Sequence, residues 1–438
     1  MKKFSMKAIL FSMMLALPLG FTSCSDDDTP TTEEEAVTAT ELKAVANTYV
    51  NDIIYATYAD LRTYAGDLKT ACETAYAHAK AGSLTDADME NCATAFKNAR
   101  REWERSEAFL YGAATNNEID PHIDSWPLDR DQLVKALNDD ALLSGIHGEN
   151  PAQFIYSKNG DFQSVIGFHG LEFVIFRNGK TRTAAMLNAN DTDEDMKTVK
   201  GVDELAFAAA TAGDIYNMTS LLQYGWNADS SLATWLSSNC NWVNNSLRNN
   251  GLATTSLGYG QYLLNATGEN AWFPTWQQVF QNALQGGCSD ICSEVYNQKL
   301  GQAYRVATGQ GGVTEDGEKE SIDYIESPYS KRSFIDYQDN IYSIKNSLYG
   351  TRDISATQPS TNSMMYIMKK YNYSGYSALS TALNDAIAAL ETAKNSGIAF
   401  VDDPKNAQVK NCIDKITTLD DELNNAGTWF SKLKVSNK

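Results

Sequence analysis

The stretch Val165 to Lys180, VIGFHGLEFVIFRNGK, constrains this chain more than any other. From Val165 to Phe176 nearly every position is apolar. A helix apolar all round needs other helices on every side, so the fold must have a central, fully buried member. Yet the stretch carries His169 and Glu172. Residues three apart share a helical face, with about 5–6 Å between Cβ atoms. A buried carboxylate without a partner is costly, so another polar group or a metal must stand beside this pair. Gly167 and Gly170 flank the histidine. Each costs roughly 1 kcal/mol of helix propensity relative to Ala. Each also leaves room for a backbone or a ligand to approach the imidazole.

The rest of the chain supplies the surrounding helices. Its 438 residues suggest two or three domains, and 43% hydrophobic content can fill a sizeable core. With only 9 Pro, few alternating β-branched runs, and Ala, Leu, Lys and Glu recurring at helical spacing, the pattern is all-α. A net charge of -19 argues against a nucleic-acid partner, because phosphate backbones are bound by Lys and Arg. An acidic surface attracts cations but does not by itself define a site.

Residues 1–23 read as an address rather than as fold. Lys2, Lys3 and Lys7 precede the apolar run Ala8 to Phe21, which has signal-peptide length and is short for a membrane span. Phe21-Thr22-Ser23-Cys24 resembles a bacterial lipobox, which implies lipidation of Cys24; a plain signal-peptidase site is the alternative. Asp26, Asp27 and Asp28 resemble the surface-export signal of Bacteroidetes lipoproteins, or else form a solvated spacer. Residues 24–37 make a flexible acidic tether. Six cysteines remain beyond Cys24, an even number suited to an oxidising compartment. Cys72 and Cys92 are equally far from the turn at Gly82, so a helical hairpin sets them face to face and predicts a disulfide. Cys288 and Cys292 could bridge locally or, less in keeping with their surroundings, ligate metal. Cys240 and Cys412 are left over.

A long helix is predicted from near Ala39 to Ala81, broken near Tyr64-Ala65-Gly66. Thr85 is an N-cap for a second, running to about Tyr111. Its inward stripe holds Met89, Cys92, Phe96, Ala99 and Trp103, and the same spacing turns Glu107 inward, with Arg100 near that face. The central helix is expected to end at Asn178-Gly179 as a C-cap. Another helix spans about Gly201 to Leu222, with Leu205, Ala208, Ala212, Ile215 and Met218 inward. In the second half, Lys331 to Tyr349 carries the stripe Phe334, Tyr337, Ile341, Ile344 and Leu348. Beside it runs a polar stripe of Asp336, Asn340, Ser343 and Ser347. Two more helices, about Ser377 to Asn395 and Asn406 to Leu433, close the chain. His78, His122 and His147 read as bystanders, since none has a carboxylate at a clear ligand spacing.

Four segments together resemble the imelysin-like family, also known as peptidase family M75, which includes bacterial iron-regulated lipoproteins. They are Gly167-Phe168-His169-Gly170-Leu171-Glu172 (G-x-H-x-x-E), Arg100 to Gly112 (R-x-x-W followed by S-E-A-F), Trp126-Pro127-Leu128-Asp129, and Ser327 to Gly350 (S-P-Y-S, D-Y-x-x-N-I, N-x-x-Y-G). The resemblance covers roughly Ala39 to the C-terminus. It implies two four-helix-bundle-like domains packed together with long loops, residues 38–229 and 230–438. It also implies a pocket between them where His169, Glu172, Glu107, Arg100, Trp103, Trp126 and Asp129 meet Ser330 and Asn340. His169, Glu172 and Glu107 are then the expected ligands of iron or another divalent metal, with Asp129 approaching from its loop. The bland alternative is a His–Glu–Arg hydrogen-bond cluster that binds nothing.

The function this implies is binding of a metal or an iron-containing ligand by a lipoprotein of the cell envelope. Such a protein would be anchored to the outer membrane, periplasmic or surface-exposed, and would work with an envelope uptake partner. A metallopeptidase is the rival, but a zincin needs H-E-x-x-H and here Phe173 follows Glu172. A non-catalytic surface interaction protein is the third reading.

Overall fold

The computed structural model of the chain describes residues 36–240, 242, 257–268, 271–314 and 317–436. The address segment 1–23, Cys24 and most of the tether lie outside the described residues. Val37, at the end of the expected tether, instead pairs with Val435 in a two-residue parallel strand pair.

The first helix, α1, spans Ala39–Asn47. Its N-terminus is closed by a capping box in which Thr38 and Glu41 satisfy each other's backbone N–H groups. A π-helical segment, Thr48–Tyr55, joins it to α2, Ala56–Lys80. The expected break at Gly66 does not occur. Gly66 lies within α2, and its missing side chain accommodates the ring of Tyr216. Across the turn at Gly82, α3 runs Asp86–Glu104, capped by Thr85 and Asp88. It stops earlier than the apolar stripe predicts. Arg105 leaves helical geometry, and Glu107–Phe109 forms a separate 3₁₀ turn. Cys72 and Cys92 are buried beside each other on this hairpin as free thiols, and Cys92 helps push the Cys72 thiol well above its usual range. Cys240, Cys288, Cys292 and Cys412 are also buried and free.

The central helix, α4, is Gly167–Ile175, and all of its residues are buried. Asn178-Gly179 does not cap it. The helix gives way to a hairpin, Phe176–Arg177 against Lys180–Thr181, with Asn178 and Gly179 at φ 50° and 77°. Two left-handed residues in a two-residue loop make the turn that matches strand twist, and Asn-Gly suits it best.

Next, α5 (Gly201–Asn227) packs on α2 and α4. In the second half, α6 (Trp276–Ala283) continues through π-helical turns Leu284–Ser289 and Glu294–Lys299. It is followed by α7 (Ser333–Tyr349), α8 (Tyr376–Lys394) and α9 (Ala407–Ser431). One helix group is built on α2, α3 and α5 with α4 between, the other on α7, α8 and α9 with the π-helical segments against α9. Both belong to one compact unit, Ala36–Lys438, with one continuous core. The polar stripe of α7 explains the join: Asp336, Asn340, Ser343 and Ser347 are all buried, and α7 packs on α3 as well as on α8. Ser343 Oγ accepts the backbone N–H of Ala108 at 3.0 Å. The architecture is all-α, and no helix among the described residues is long and apolar enough to cross a membrane.

Candidate functional site

Arg100 is the hub of a charged cluster inside this core. It lies on the inward face of α3 and is fully buried. Its guanidinium pairs with Asp124, Glu104 and Glu326, and Nε lies 3.8 Å from Asp336 Oδ2. The planar fork of arginine presents five donors in a fixed geometry, which suits several carboxylates around one side chain. Burial opposes the charge, but these acids outweigh it and hold the guanidinium firmly protonated.

His169 enters from α4. Nε2 stands 3.1 Å from Asp124 Oδ1 and 4.0 Å from Glu326 Oε1, while Nδ1 is 3.7 Å from Glu172 Oε2. The second oxygen of Asp124 accepts from Trp103 Nε1 at 2.6 Å. Glu172 Oε1 is held by the backbone N–H and hydroxyl of Ser330, both at 2.7 Å. Burial works against an imidazolium, yet Asp124 and Glu172 overcome it and raise His169 to about 9. Burial likewise pushes Asp124 up, but Arg100 and His169 more than reverse this and hold it well below the ordinary carboxylate range.

Gly167 brings these groups together. It has φ +81°, and a Cβ there would lie 2.3 Å from the carbonyl oxygen of Ile123. Only glycine lets the segment carrying Asp124 lie this close to the start of α4.

The cluster gathers His169, Glu172, Arg100, Trp103, Ser330 and Asn340; the amide of Asn340 donates to Glu104 Oε2 at 2.5 Å. Glu107 is buried but not among the donors that converge on His169. Because α3 ends at Glu104, Glu107 falls on the 3₁₀ turn beyond it, and Glu104, one turn after Arg100, is the acid that pairs with the guanidinium. Burial drives Glu107 well above the carboxylate range, with Lys299 opposing. Asp129 is corrected too: it is exposed and caps a short helix by accepting from Gln132 N at 2.9 Å. Asp124, five residues earlier in the same segment, is the acid that turns inward. Trp126 is half-buried against Tyr324, with ring centroids 4.2 Å apart. The other histidines do have carboxylate partners: His78 with Asp88, His122 with Asp214 and His147 with Asp203, at 3.0, 2.5 and 2.9 Å. Those partners lie elsewhere in the chain, so local spacing could not reveal them.

Sequence reasoning missed Asp124, Glu104, Glu326 and Lys299. Among the described residues, one group has the arrangement to hold a metal ion: Asp124, His169 and Glu326, all buried, with one ligand atom from each lying within 4.8 Å of the others. Around it acids outnumber cations. Burial raises Glu104 and Asp336, and burial followed by the charges of Asp124 and Glu294 raises Asp120 to about 7.

A pH dependence follows. Asp120 and, in a separate ion-pair network, Glu204 both rise to about 7, in each case chiefly through burial. A carboxyl raised by folding favours the protonated fold. Its stabilisation is complete below the unfolded value near 4 and is lost as pH rises through about 7. Asp124, depressed by folding, contributes above about 3.9 and loses its effect only in strong acid. Without added cation, the unfolding midpoint should therefore be lower at pH 8 than at pH 5.5, as read by thermal denaturation in chelator.

A family model described as Imelysin, peptidase M75, matches residues 54–424. Over 88 residues the chain is 32% identical to Iron-regulated protein A of Synechococcus elongatus, a match spanning 20% of this chain and 23% of that relative's length. A crystal structure from Parabacteroides distasonis, assigned as an iron-regulated protein A precursor, is similar with TM-score 0.70 at 22% identity. The likeness covers 91% of this chain and 97% of that one. An imelysin-like protein from Psychrobacter arcticum is similar with TM-score 0.55 at 14% identity, over 91% and 98% of the two chains. At such identities the structural likeness speaks for the fold, while the family match spans most of the sequence. The chain belongs to the imelysin family, peptidase family M75.

Proposed function

We propose that the buried cluster binds iron or another divalent metal, or an iron-containing ligand, as part of iron uptake in the cell envelope. The observation that carries this reading is the convergence of His169, Asp124 and Glu326. One imidazole nitrogen and carboxylate oxygens suit iron, zinc or manganese. The residues fit such an ion in a second respect. Among the described residues, Glu172 Oε2 accepts no hydrogen bond and His169 Nε2 makes none of good geometry, while Glu326 Oε2 faces the Lys299 ammonium at 3.2 Å. His169 would bind through its neutral form, so loading would release a proton. Arg100 would hold Asp124 and Glu326 in place and balance excess charge. The words "iron-regulated" in the relatives' names favour iron. The envelope location rests on the lipobox-like segment ending at Cys24.

A metallopeptidase reading lacks comparable support: among the described residues, the convergent group offers one histidine and no H-E-x-x-H spacing. The test is metal analysis of the purified full chain beside His169→Ala. Stoichiometric metal in the wild type, reduced about tenfold or more in the variant, is expected. A metal-free wild type after exposure to iron, or undiminished metal in the variant, contradicts the proposal.

A further inference from the structure

Lys299 has almost no contact with solvent: its side chain is 1% exposed. It closes the π-helical turn Glu294–Lys299, an irregularity that recurs at functional sites. Its ammonium stands 3.2 Å from Glu326 Oε2 and 3.4 Å from Glu294 Oε1. The two acids differ in depth. Glu326 is fully buried, and its other oxygen faces Arg100 and His169. The Glu294 side chain is 36% exposed. The ammonium therefore lies between a fully buried carboxylate and a more exposed one, and the buried Glu107 and Glu104 add to the negative field that keeps it charged. The ring of Trp126, 5.9 Å from Nζ, flanks it.

A metal at the cluster needs Glu326, and Lys299 already uses it. Two cations on one carboxylate repel, and in a buried setting that repulsion is poorly screened. Lysine has a flexible four-carbon stem, so its charge can move where an arginine fork could not. Glu294 offers a second partner closer to water.

We propose that Lys299 is a built-in competitor and gate for the cation site: its ammonium holds Glu326 while the site is empty and retreats onto Glu294 when a divalent cation takes Glu326. This rests on the cation-binding reading above. The gate lowers affinity for any cation too weak to displace an ammonium, and so selects for divalent ions.

The test titrates the full chain with Mn²⁺, reading free ion by electron paramagnetic resonance, for wild type, Lys299→Met, Glu294→Gln and His169→Ala. Methionine keeps much of the stem and removes the charge. Lys299→Met should bind Mn²⁺ about tenfold tighter, and Glu294→Gln, which removes the retreat position, should bind several-fold weaker. His169→Ala should abolish binding. Opposite effects from two adjacent substitutions cannot come from general loosening. Equal affinity in wild type and Lys299→Met, both sensitive to His169→Ala, overturns the gate and leaves the cation site standing. If Lys299→Met does not fold, unchanged affinity in Glu294→Gln overturns the gate by itself. No Mn²⁺ binding in any form overturns the gate together with the reading beneath it.

Discussion

Replacing Arg100 with methionine is expected to destabilise the fold by about 3–5 kcal/mol, the usual cost of removing one partner from a buried ion pair. Arg100 is fully buried and in contact with Asp124, Glu104 and Glu326. Methionine fills part of the volume but leaves those carboxylates without their shared cation. Loss of the cation raises their pKa values in the fold, and they take up protons. Stability then falls as pH rises, because the unfolded chain releases those protons more readily. The loss should be smaller at pH 5 than at pH 8. Arg100→Lys keeps the charge but loses the fork, and should recover only part of it. Urea unfolding at the two pH values measures all three terms. A loss under about 1 kcal/mol at pH 8, ordinary for a surface substitution, would show that this guanidinium does not organise the cluster.

Alanine at Gly170 is expected to cost about 3 kcal/mol or more, at or beyond the upper end of overpacking penalties. A Cβ there would lie 1.9 Å from the carbonyl oxygen of Val165 and 3.3 Å from the ring of Phe207. The first obstacle is backbone, so no side-chain rotation relieves it. The turn entering α4 must shift, carrying His169 with it. Metal affinity should therefore fall along with the thermal midpoint. Gly160→Ala is the control, since a Cβ there meets nothing within 4 Å. A Gly170→Ala protein with wild-type midpoint and affinity would show that the close approach is not needed.

These two positions also show what was legible in the sequence. The burial of α4 and its His–Glu pair follow from an apolar run with two polar residues at helical spacing, and all nine residues are indeed buried. The apolar stripe of α7 is likewise a periodicity within one helix. Its polar stripe looked like a neighbouring face and is the buried seam against the first helix group, because a helix packed on two sides hides both faces. The convergence of Asp124, His169 and Glu326 was less legible. Asp124 and Glu326 lie in non-helical segments, where no period tells an inward acid from an outward one. Asp129 and Asp124 share one short segment, and their fates are decided by the approach of Gly167 to Ile123, a contact between distant parts of the chain. Glu107 does turn inward, as its spacing predicts, but it sits apart from the donors around His169 for a local reason. A 3.6-residue period holds only while the helix lasts, and α3 ends at Glu104. Asn178-Gly179 was a readable hairpin signal, masked by the strongly helical pattern before it.

The central claim is that this core holds charged side chains in order to hold a cation. Crystals of the full chain grown with Zn²⁺, measured at the zinc absorption edge, test it most directly. An anomalous peak is expected about 2.0–2.2 Å from an imidazole nitrogen of His169 and from carboxylate oxygens of Asp124 and Glu326. An empty cluster in crystals whose surface histidines do carry zinc would contradict it.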